Sequence, residues 1–332
     1  MIKNWLITGG CGFIGIALIK HLATNNLSKH IRVLDNLTVG SRDDLATACN
    51  FIESSPSSIV SPSHISSLQV ELVKGDIRDP ETCERCSRDM DVIIHLAANT
   101  GVPKSVENPR LDMECNVIGT FNMLEAARIN SVKRFVFASS GAPAGEVEPP
   151  IHEELPPHPV SPYGASKLAG EGYCSAYFRT FGVETVCLRF SNVYGPGSTH
   201  KSSVVAKFIK QALNGETLEI YGDGTQTRDF IYIDDLINAI VLSATNEGIG
   251  GETFQIATSR ETTLDEMTAL MLDVFENKGI SRPQVRKTKP RLGDVKRNFS
   301  DTSKAKKMLG WDAQQDLLNG LALTVEWFLN KS

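Results

Sequence analysis

The segment from Leu6 to Gly15, LITGGCGFIG, decides the fold of this chain. A short apolar run with the composition of a strand leads into a glycine-rich turn, and an apolar helical pattern follows directly. In a dinucleotide-binding turn, one glycine permits the tight turn, another lets the backbone approach a pyrophosphate, and a third allows close packing of helix on strand. The helix N-terminus then faces the negative charge. The segment therefore predicts a strand, a phosphate-binding loop and a helix in succession.

An acidic residue follows at the distance that such a turn requires. The next strand-like run, IRVLD, ends in Asp35, twenty residues after Gly15, where a carboxylate can accept hydrogen bonds from the adenosine ribose. Because the same charge would repel a 2′-phosphate, the sequence favours NAD over NADP. The third run, VELVKGD, ends in Asp76, at the sheet edge where ligands gather. Asp76 could equally cap the helix that begins in DPETCERC.

Strand-like and helical patterns alternate through the first half of the chain. The strand-like runs are WLIT, IRVLD, VELVKGD, VIIHLAA, RFVFASS and VETVCLRF, and helical spacing separates several of them. This alternation predicts an α/β fold with a Rossmann-type doubly wound parallel sheet. We expect the NAD-binding domain over residues 1–190, with a returning segment near 229–257, and a smaller α/β substrate-binding region over 191–332. The Ser/Pro-rich stretch 53–67 is predicted as a surface loop.

Composition excludes several classes of function. The 332 residues carry a formal net charge of -5, so no basic field is available for nucleic acid or an anionic membrane. We find no apolar run of membrane length and no leader pattern, and we expect a cytoplasmic protein. The seven cysteines lack metal-ligand spacing, and no metal site is predicted. Cys11, at the predicted helix N-terminus, could have a lowered pKa, or could simply be a small residue that fits.

The stretch SPYGASK places Tyr163 four residues before Lys167. On spacing alone this is an ordinary helix start, because residues four apart share one helix face whatever their role. If a cofactor lies over the sheet edge, however, the run FVFASS brings Ser140 to the same edge. A lysine ammonium and a cationic nicotinamide would both favour the phenolate form of the tyrosine. Such a tyrosine could accept a hydroxyl proton while hydride leaves the neighbouring carbon.

These residues and others carry a family resemblance. The chain resembles an extended short-chain dehydrogenase/reductase of the sugar-nucleotide epimerase/dehydratase group, and is most similar to UDP-hexose 4-epimerases. The resemblance runs nearly end to end, through motifs in the family's order: TGGCGFIG, VLDNL, GDI, HLAA, NVIGT, SS, YGASK, RFSNVYGP, GDGTQTRDFIYIDD and RLGDVKRNFSD.

The resemblance implies a role for each matching position. Tyr163 would be the acid/base, Lys167 would bind the nicotinamide ribose, and Ser140 would hydrogen-bond the reacting sugar oxygen. NAD would lie against these three residues and the following ones: Gly9, Gly12, Phe13, Ile14, Gly15, Asp35, Asn36, Asp76, Ile77, Leu96, Ala97, Ala98 and Asn116. A UDP-sugar would be held by Asn192, Arg228, Arg291, Asp294 and Asn298. For each arginine, an ordinary ion pair is the alternative.

The implied reaction is epimerisation at C4 of a UDP-hexose or UDP-N-acetylhexosamine through a 4-keto intermediate. Gly141 and Ala142 occupy the places where dehydratases of the group carry an Asp-Glu pair, which disfavours dehydration. Pro143-Ala144 replaces the usual Val-Tyr and leaves the sugar open, and Asn298 replaces a bulky tyrosine, which could leave space for a 2-acetamido group. The alternatives are another NAD-dependent nucleotide-sugar enzyme (UDP-glucuronate 4-epimerase, dehydratase or reductase) and a non-catalytic NAD-binding module.

The oligomeric state depends mainly on the resemblance. Helices over 116–130 and 163–181 present apolar positions on more than one side, as interior helices also would. The resemblance implies a homodimer built from them.

Overall fold

The computed structural model describes residues 2–62, 68–200, 203–290 and 295–331. The chain divides into two compact units. The first contains Met1–Gly145, Pro157–Arg189 and Ile237–Phe254, and the second contains Glu146–Pro156, Phe190–Leu236 and Gln255–Ser332. This division differs from the predicted limits of 1–190 and 229–257 in two respects: the returning segment is Ile237–Phe254, and a short segment of the first range lies in the second unit. The short segment Glu146–Pro156 belongs to the second unit. There Ile151 forms a β-bridge to Ser300: its amide donates to the Phe299 carbonyl, and its carbonyl accepts the Asp301 amide.

An eight-stranded sheet organises the first unit, in the order β12-β7-β6-β5-β1-β2-β4-β3. The strand bounds are β1 Asn4–Thr8, β2 His30–Asp35, β3 Ile52–Ser54, β4 Gln69–Lys74, β5 Val92–His95, β6 Arg134–Ser140, β7 Glu184–Phe190 and β12 Thr253–Ile256. The pairs from β3 to β6 are all parallel, with Trp5 opposite Ile31 in β2 and Val92 in β5. The predicted doubly wound parallel sheet is confirmed.

The chain order reverses beside β1, which positions the ligand site. From β1 the chain passes outward through β2 and β4, then returns to β5 on the other side of β1 and continues to β6 and β7. In open parallel sheets, ligands bind outside the carboxyl ends of the strands where the order reverses. The loops that follow β1 and β5 meet at this point.

Most of the helices bury an apolar face, and several have a capping side chain at the N-terminus. Helix α7 is capped by Ser161, whose side chain accepts the Gly164 amide, has Pro162 at its first position, and ends at Gly182 with φ +70°. The helices are α1 Phe13–Thr24, α2 Arg42–Ala46, α3 Pro80–Ser87, α4 Val102–Glu107, α5 Pro109–Met113, α6 Gly119–Ile129, α7 Pro162–Phe181, α8 Val204–Leu213, α9 Ile233–Thr245, α10 Leu264–Asn277, α11 Ser303–Leu309 and α12 Leu317–Leu329.

Buried apolar side chains pack α3, α6 and α7 against the sheet. The cluster includes Leu6, Leu34, Ile93, Phe135 and Phe137 from the strands, together with Met123, Leu124, Cys174 and Tyr177 from the helices. A side chain at Gly170 would put its Cβ 2.4 Å from the Phe137 ring, so this glycine lets α7 lie close to β6. Close packing here determines where Tyr163 and Lys167 lie relative to the sheet edge.

The predicted loop over 53–67 is only partly a loop. Its first residues belong to β3, an edge strand parallel to β4. The segment is held by a buried ion pair, since Arg32 donates to Glu71 at 2.8 Å and to the carbonyl of Val60 at 2.7 Å, while Glu71 accepts the Val60 amide. These charged residues therefore attach Val60, which follows β3, to the sheet. Residues 63–67 lie outside the described residues.

Short strands and helices build the second unit: β8 Asn192–Tyr194, β9 Leu218–Tyr221, β10 Thr227–Arg228, β11 Phe230–Tyr232, β13 Thr262–Thr263 and β14 Val285–Thr288. They form three two-stranded sheets, β11 with β8, β10 with β13 and β14 with β9. Between β10 and β11, the fully buried Asp229 accepts hydrogen bonds from the Thr258 amide and hydroxyl. This carboxylate therefore fixes the backbone next to Arg228.

Candidate active site

The glycine loop closes tightly over the sheet edge. Gly9 has φ +69°, and a Cβ at this position would lie 2.9 Å from the backbone of Ala97. A Cβ on Gly15 would lie 2.5 Å from the Cα of Gly10. Neither position has room for a side chain, so the loop after β1 packs directly against the loop after β5 and against the start of α1.

Helix α1 begins at Phe13 with Gly12 as its N-cap and no side-chain cap. Its first intrahelical hydrogen bond runs from the Ile16 amide to the Gly12 carbonyl at 2.9 Å. The amides of the first turn of α1, which includes Ile14 and Gly15, point out of the helix N-terminus, where they and the helix dipole attract an anion. This end of α1 fits a pyrophosphate.

Asp35 lies at the end of β2 and is 8% exposed. Its carboxylate accepts the amides of Cys11 at 2.9 Å and Leu37 at 2.8 Å, while burial raises its pKa. Burial and the Asp35 charge raise the pKa of the Cys11 thiol to about 12. The lowered pKa considered for the Cys11 thiol is therefore wrong, because burial and the neighbouring carboxylate raise it. The backbone of Cys11 lies where a Cβ on Gly40 would stand, 1.9 Å from the Cys11 carbonyl oxygen, so position 40 has room only for glycine.

Asp76 is near this carboxylate on the neighbouring strand end. Its side chain accepts two hydrogen bonds from Arg78, which lowers its pKa, and the amide of Asn36 lies 3.4 Å away. The alternative role as a helix cap is wrong, because the side chain that caps α3 is that of Asp79. Ile77 is buried, and its carbonyl accepts from Asn122 at 3.0 Å.

The residues Leu96, Ala97 and Ala98 form the loop after β5. The amide of Leu96 donates to the Thr8 carbonyl, and that of Ala97 donates to the Thr8 hydroxyl at 3.1 Å. Three features fit a dinucleotide: a glycine-rich turn, a helix N-terminus without a side-chain cap, and a carboxylate at the end of β2. The features lie along one edge of one sheet.

A buried histidine links this edge to the next helix. Thr120 donates its hydroxyl proton to the Asn116 carbonyl at 2.7 Å, so it must accept from Nε2–H of His95 at 3.1 Å. His95 Nδ1 then accepts from the Thr8 hydroxyl at 2.8 Å. Burial lowers the pKa of His95 to about 3, which keeps the ring neutral. The chain of hydrogen bonds thus has one direction and joins the residue before Gly9 to Asn116.

Asn116 lies in a π-helical turn, Glu114–Ile118, between α5 and α6. Its side chain is buried and bonds to the protein: Oδ1 accepts the Asn99 amide, and Nδ2 lies within hydrogen-bond distance of Asp112, Ser166 and the Asn99 carbonyl. Contact between Asn116 and NAD stays a prediction. Its bonds to the protein show that it also positions the helix beside Tyr163.

Ser140, Tyr163 and Lys167 all belong to the first unit. Ser140 ends β6, and its side chain interacts with the phenol of Tyr163. Lys167 is 3% exposed; its Nζ donates to the Ala138 carbonyl at 2.8 Å and lies 5.9 Å from the centroid of the Tyr163 ring. The three side chains thus gather where β6 ends and α7 begins.

Burial dominates the protonation of this group. It raises the pKa of Tyr163 to about 12, although the Ser140 side chain acts in the opposite direction. It also lowers the pKa of Lys167 to about 8, although the charges of Asp112 and Glu171 oppose it. The lowered tyrosine pKa expected from the sequence is therefore not a property of these residues alone.

Asn192 and Arg228 lie in the second unit, on the rim of one cavity of about 180 Å³. Arg228 is half-buried, and its Nη1 donates to the carbonyls of Thr227 and Val295. Lys207 and Tyr221 line the same cavity, with the ammonium 4.5 Å from the ring centroid. Sequence reasoning missed both, although Tyr221 directly precedes the GDG turn.

The structure shows less about the other residues predicted to bind the substrate. Asn298 is partly buried, and its backbone amide donates to the Thr227 hydroxyl at 3.2 Å. Arg291 and Asp294 lie outside the described residues.

Comparison with known proteins shows similarity over nearly the whole chain. A UDP-glucose 4-epimerase of Mycolicibacterium smegmatis is 35% identical, over 98% of this chain and 99% of the relative. A UDP-N-acetylglucosamine 4-epimerase of Methanobrevibacter ruminantium, solved with UDP-N-acetylmuramic acid, has a TM-score of 0.86 and 30% identity, covering 100% and 99% of the two chains. A dTDP-glucose 4,6-dehydratase of Streptomyces venezuelae, solved with NAD, has a TM-score of 0.86 and 32% identity, covering 99% and 97%.

The same comparison identifies the family. The NAD dependent epimerase/dehydratase family matches residues 5–257, which include the glycine loop, Asp35 and the group around Tyr163. The predicted use of NAD agrees with this match and with the fit of the sheet edge to a dinucleotide. From this match and from the similarity over its whole length, the chain is a member of the NAD-dependent epimerase/dehydratase family.

Proposed function

We propose that this protein is a 4-epimerase of UDP-sugars. The observation that carries the proposal is the combination of Ser140, Tyr163 and Lys167 with Gly141 and Ala142 after the serine. The 3₁₀ turn Ala142–Ala144 presents no carboxylate, and its Ala142 amide donates to the Ser140 hydroxyl at 3.2 Å. Dehydration needs acid/base groups at C5 and C6 of the sugar, and this turn supplies none. Removal and return of a proton at O4 needs only the tyrosine.

The first unit would perform the chemistry with few groups. NAD, held by the glycine loop, the start of α1 and Asp35, would supply the acceptor and donor of hydride at C4. Ser140 would orient O4, and Tyr163 would take its proton and return it after the sugar has turned over. The buried ammonium of Lys167, beside the phenol ring, would stabilise the phenolate. Because the pKa of Tyr163 is raised to about 12 here, a bound cationic nicotinamide would be needed to favour ionisation.

The second unit would hold the nucleotide. The cavity around Arg228 combines a guanidinium, the ammonium of Lys207 and the ring of Tyr221. Guanidinium and ammonium groups suit a diphosphate, and an aromatic face suits a base. A UDP group anchored in this way would leave the sugar free to turn over.

Proton NMR tests the proposal. Purified protein is mixed with UDP-glucose, UDP-N-acetylglucosamine or UDP-glucuronate, without added cofactor, and the anomeric and H4 signals are followed. We expect conversion of at least one sugar to its C4 epimer. A new 4-keto-6-deoxy sugar would instead indicate a dehydratase. Absence of conversion with all three, repeated with NAD⁺, would contradict the proposal.

Asn298 provides the basis for proposing that 2-acetamido sugars are accepted. A side chain smaller than tyrosine at this position would leave room for the acetamido group. We expect Asn298→Tyr to reduce turnover of UDP-N-acetylglucosamine more than that of UDP-glucose. Equal loss with both sugars would contradict this role.

A homodimer in the cytoplasm completes the proposal. No helix within residues 2–62, 68–200, 203–290 and 295–331 has the length and apolarity needed to span a bilayer.

Helices α6 and α7 expose three aromatic residues, Phe121, Tyr173 and Phe181, whose exposed fractions are 37%, 41% and 52%. The ring of Phe121 packs edge-on against that of Tyr173. A second copy would cover this aromatic face. Analytical ultracentrifugation should give a dimer mass that Phe121→Lys lowers to the monomer mass; a monomeric wild type would exclude the dimer.

A further inference from the structure

We propose that Asp112 is a positioning residue whose negative charge holds the Lys167 ammonium in its charged form beside Tyr163. In the sequence, nothing in the stretch ENPRLDMEC distinguishes Asp112 from an ordinary exposed helix residue. The inference rests on the proposed function above. It adds a charged group behind the three side chains that would touch the substrate.

Asp112 is held firmly in place inside the protein. It lies on α5, is 1% exposed, and its Oδ1 lies 2.9 Å from Nδ2 of Asn116. The hydroxyl of Ser166, the residue before Lys167, donates to the Tyr163 carbonyl at 3.0 Å and also lies within hydrogen-bond reach of the Asp112 carboxylate, so its one proton is shared between the two acceptors. The carboxylate is therefore fixed between the π-helical turn and the first turns of α7.

The second carboxylate that faces Lys167 is already paired. Glu171 accepts two hydrogen bonds from Arg189, each of 2.8 Å, and a third from Ser139 at 2.6 Å. Lys167 donates to a neutral carbonyl, that of Ala138. A buried ammonium is costly without an opposite charge nearby. The hydrogen bonds of Asp112 come from the neutral groups of Asn116 and Ser166, so its charge remains available to Lys167.

The other titratable groups around Lys167 and Asp112 carry no charge that could replace it. His95 on β5 is neutral, since burial lowers its pKa to about 3. Burial raises the pKa of the thiols of Cys174 on α7 and Cys115 in the π-helical turn, so both stay protonated. The charge of Asp112 raises the pKa of Lys167 and of Tyr163, while burial raises that of Asp112 itself.

Asp112→Asn separates a charge role from a structural one, because an asparagine can keep the hydrogen bond from Asn116. Loss of the negative charge makes both Lys167 and Tyr163 release protons more easily. We expect both limbs of the pH profile of kcat to move to lower pH by about 1 unit, with KM for the UDP-sugar changed less than twofold. Ser166→Ala removes a hydrogen bond but keeps the charge, and should leave the limbs in place. Asp112→Glu should restore them.

A measurement without turnover keeps this test separate from that of the proposed function. In protein labelled with ¹³C at the lysine Cε, the Lys167 resonance is identified by its absence in Lys167→Met. The chemical shift of this resonance is followed as a function of pH in the protein as purified. The midpoint of the titration should fall by about 1 pH unit in Asp112→Asn and stay unchanged in Ser166→Ala. An unchanged midpoint in folded Asp112→Asn, with kcat lowered equally at every pH, would assign Asp112 a structural role and overturn the proposal. If wild type converts no UDP-sugar, the proposed function fails, while the NMR midpoint still decides the role of Asp112.

Discussion

Lys167 and Arg228 both carry a positive charge, but the first is buried and the second lies partly in solvent. Lys167 is 3% exposed and is enclosed by an aromatic ring, a carbonyl and fixed carboxylates. Arg228 is half-buried, on the rim of a cavity that Lys207 also lines. A buried charge responds strongly to its neighbours, whereas a solvated one mainly provides attraction. We therefore expect changes in the first region to alter rate and protonation, and changes in the second to alter affinity.

The largest expected effect comes from the phenol. Tyr163→Phe removes the group that moves the O4 proton, and we expect kcat to fall about 10³-fold with little change in UDP affinity. Tyr173→Phe is the matched control, because it makes the same change on α7 and keeps the aromatic ring that the proposed dimer would cover. Activity of Tyr163→Phe within tenfold of wild type would mean that another group moves the proton.

Lys167→Met should lower turnover less than Tyr163→Phe does, but should stabilise the folded protein. Burial lowers the pKa of Lys167 from 10.5 to about 8. Below about pH 8 the residue is therefore charged in both the folded and the unfolded protein, and the whole cost of burying the charge is subtracted from the free energy of unfolding. This cost disappears as the pH rises from 8 to 10.5. Protein free of NAD should gain about 2–3 kcal/mol of unfolding free energy at pH 7 in the variant, and less at pH 10. Urea denaturation at both pH values measures this; a gain that grows with pH would contradict the sign.

In the second region, Arg228→Met should weaken binding and leave chemistry nearly intact. Loss of a charge-assisted hydrogen bond to phosphate should raise Kd for UDP about 10- to 100-fold, with kcat at saturation within threefold. Titration calorimetry with UDP measures the first effect. Arg282→Met controls for loss of a surface arginine, since Arg282 pairs with Glu276 at 3.0 Å. A kcat loss as large as the change in Kd would remove the contrast between the two regions.

The smallest effect tests the hydrogen-bond chain through His95. Thr120→Val leaves the Nε2–H of His95 and the Asn116 carbonyl without the hydroxyl between them, which should cost about 1–2 kcal/mol of unfolding free energy. Thr120→Ser keeps the hydroxyl and should cost less. Thermal unfolding compares them; a loss in Thr120→Ser as large as that in Thr120→Val would mean that the hydroxyl contributes no more to stability than the γ-methyl group.

Sequence reasoning was most successful where one residue type has one use. The glycine turn needs positions without side chains, and the structure gives the reason at Gly9 and Gly15, where backbone atoms of other segments occupy the space. It was less successful where a charge has several uses. Asp76 was considered as a helix cap, but that role belongs to Asp79. The strand β3 was missed because its three residues, Ile52–Ser54, include one apolar side chain and are exposed or half-buried.

The sequence by itself determined the parallel sheet, the position of the dinucleotide turn and the family, because these depend on local periodicity and on motifs whose steric demands few residues satisfy. Only the tertiary structure decided which charges are buried and paired. It raises the pKa of Tyr163 and of Cys11 and lowers that of Lys167. It also pairs Glu171 with Arg189, while Asp112 has neutral hydrogen-bond partners. The reason is that desolvation and pairing depend on residues far apart in the chain, such as Asp112 and Lys167, which become neighbours only after folding.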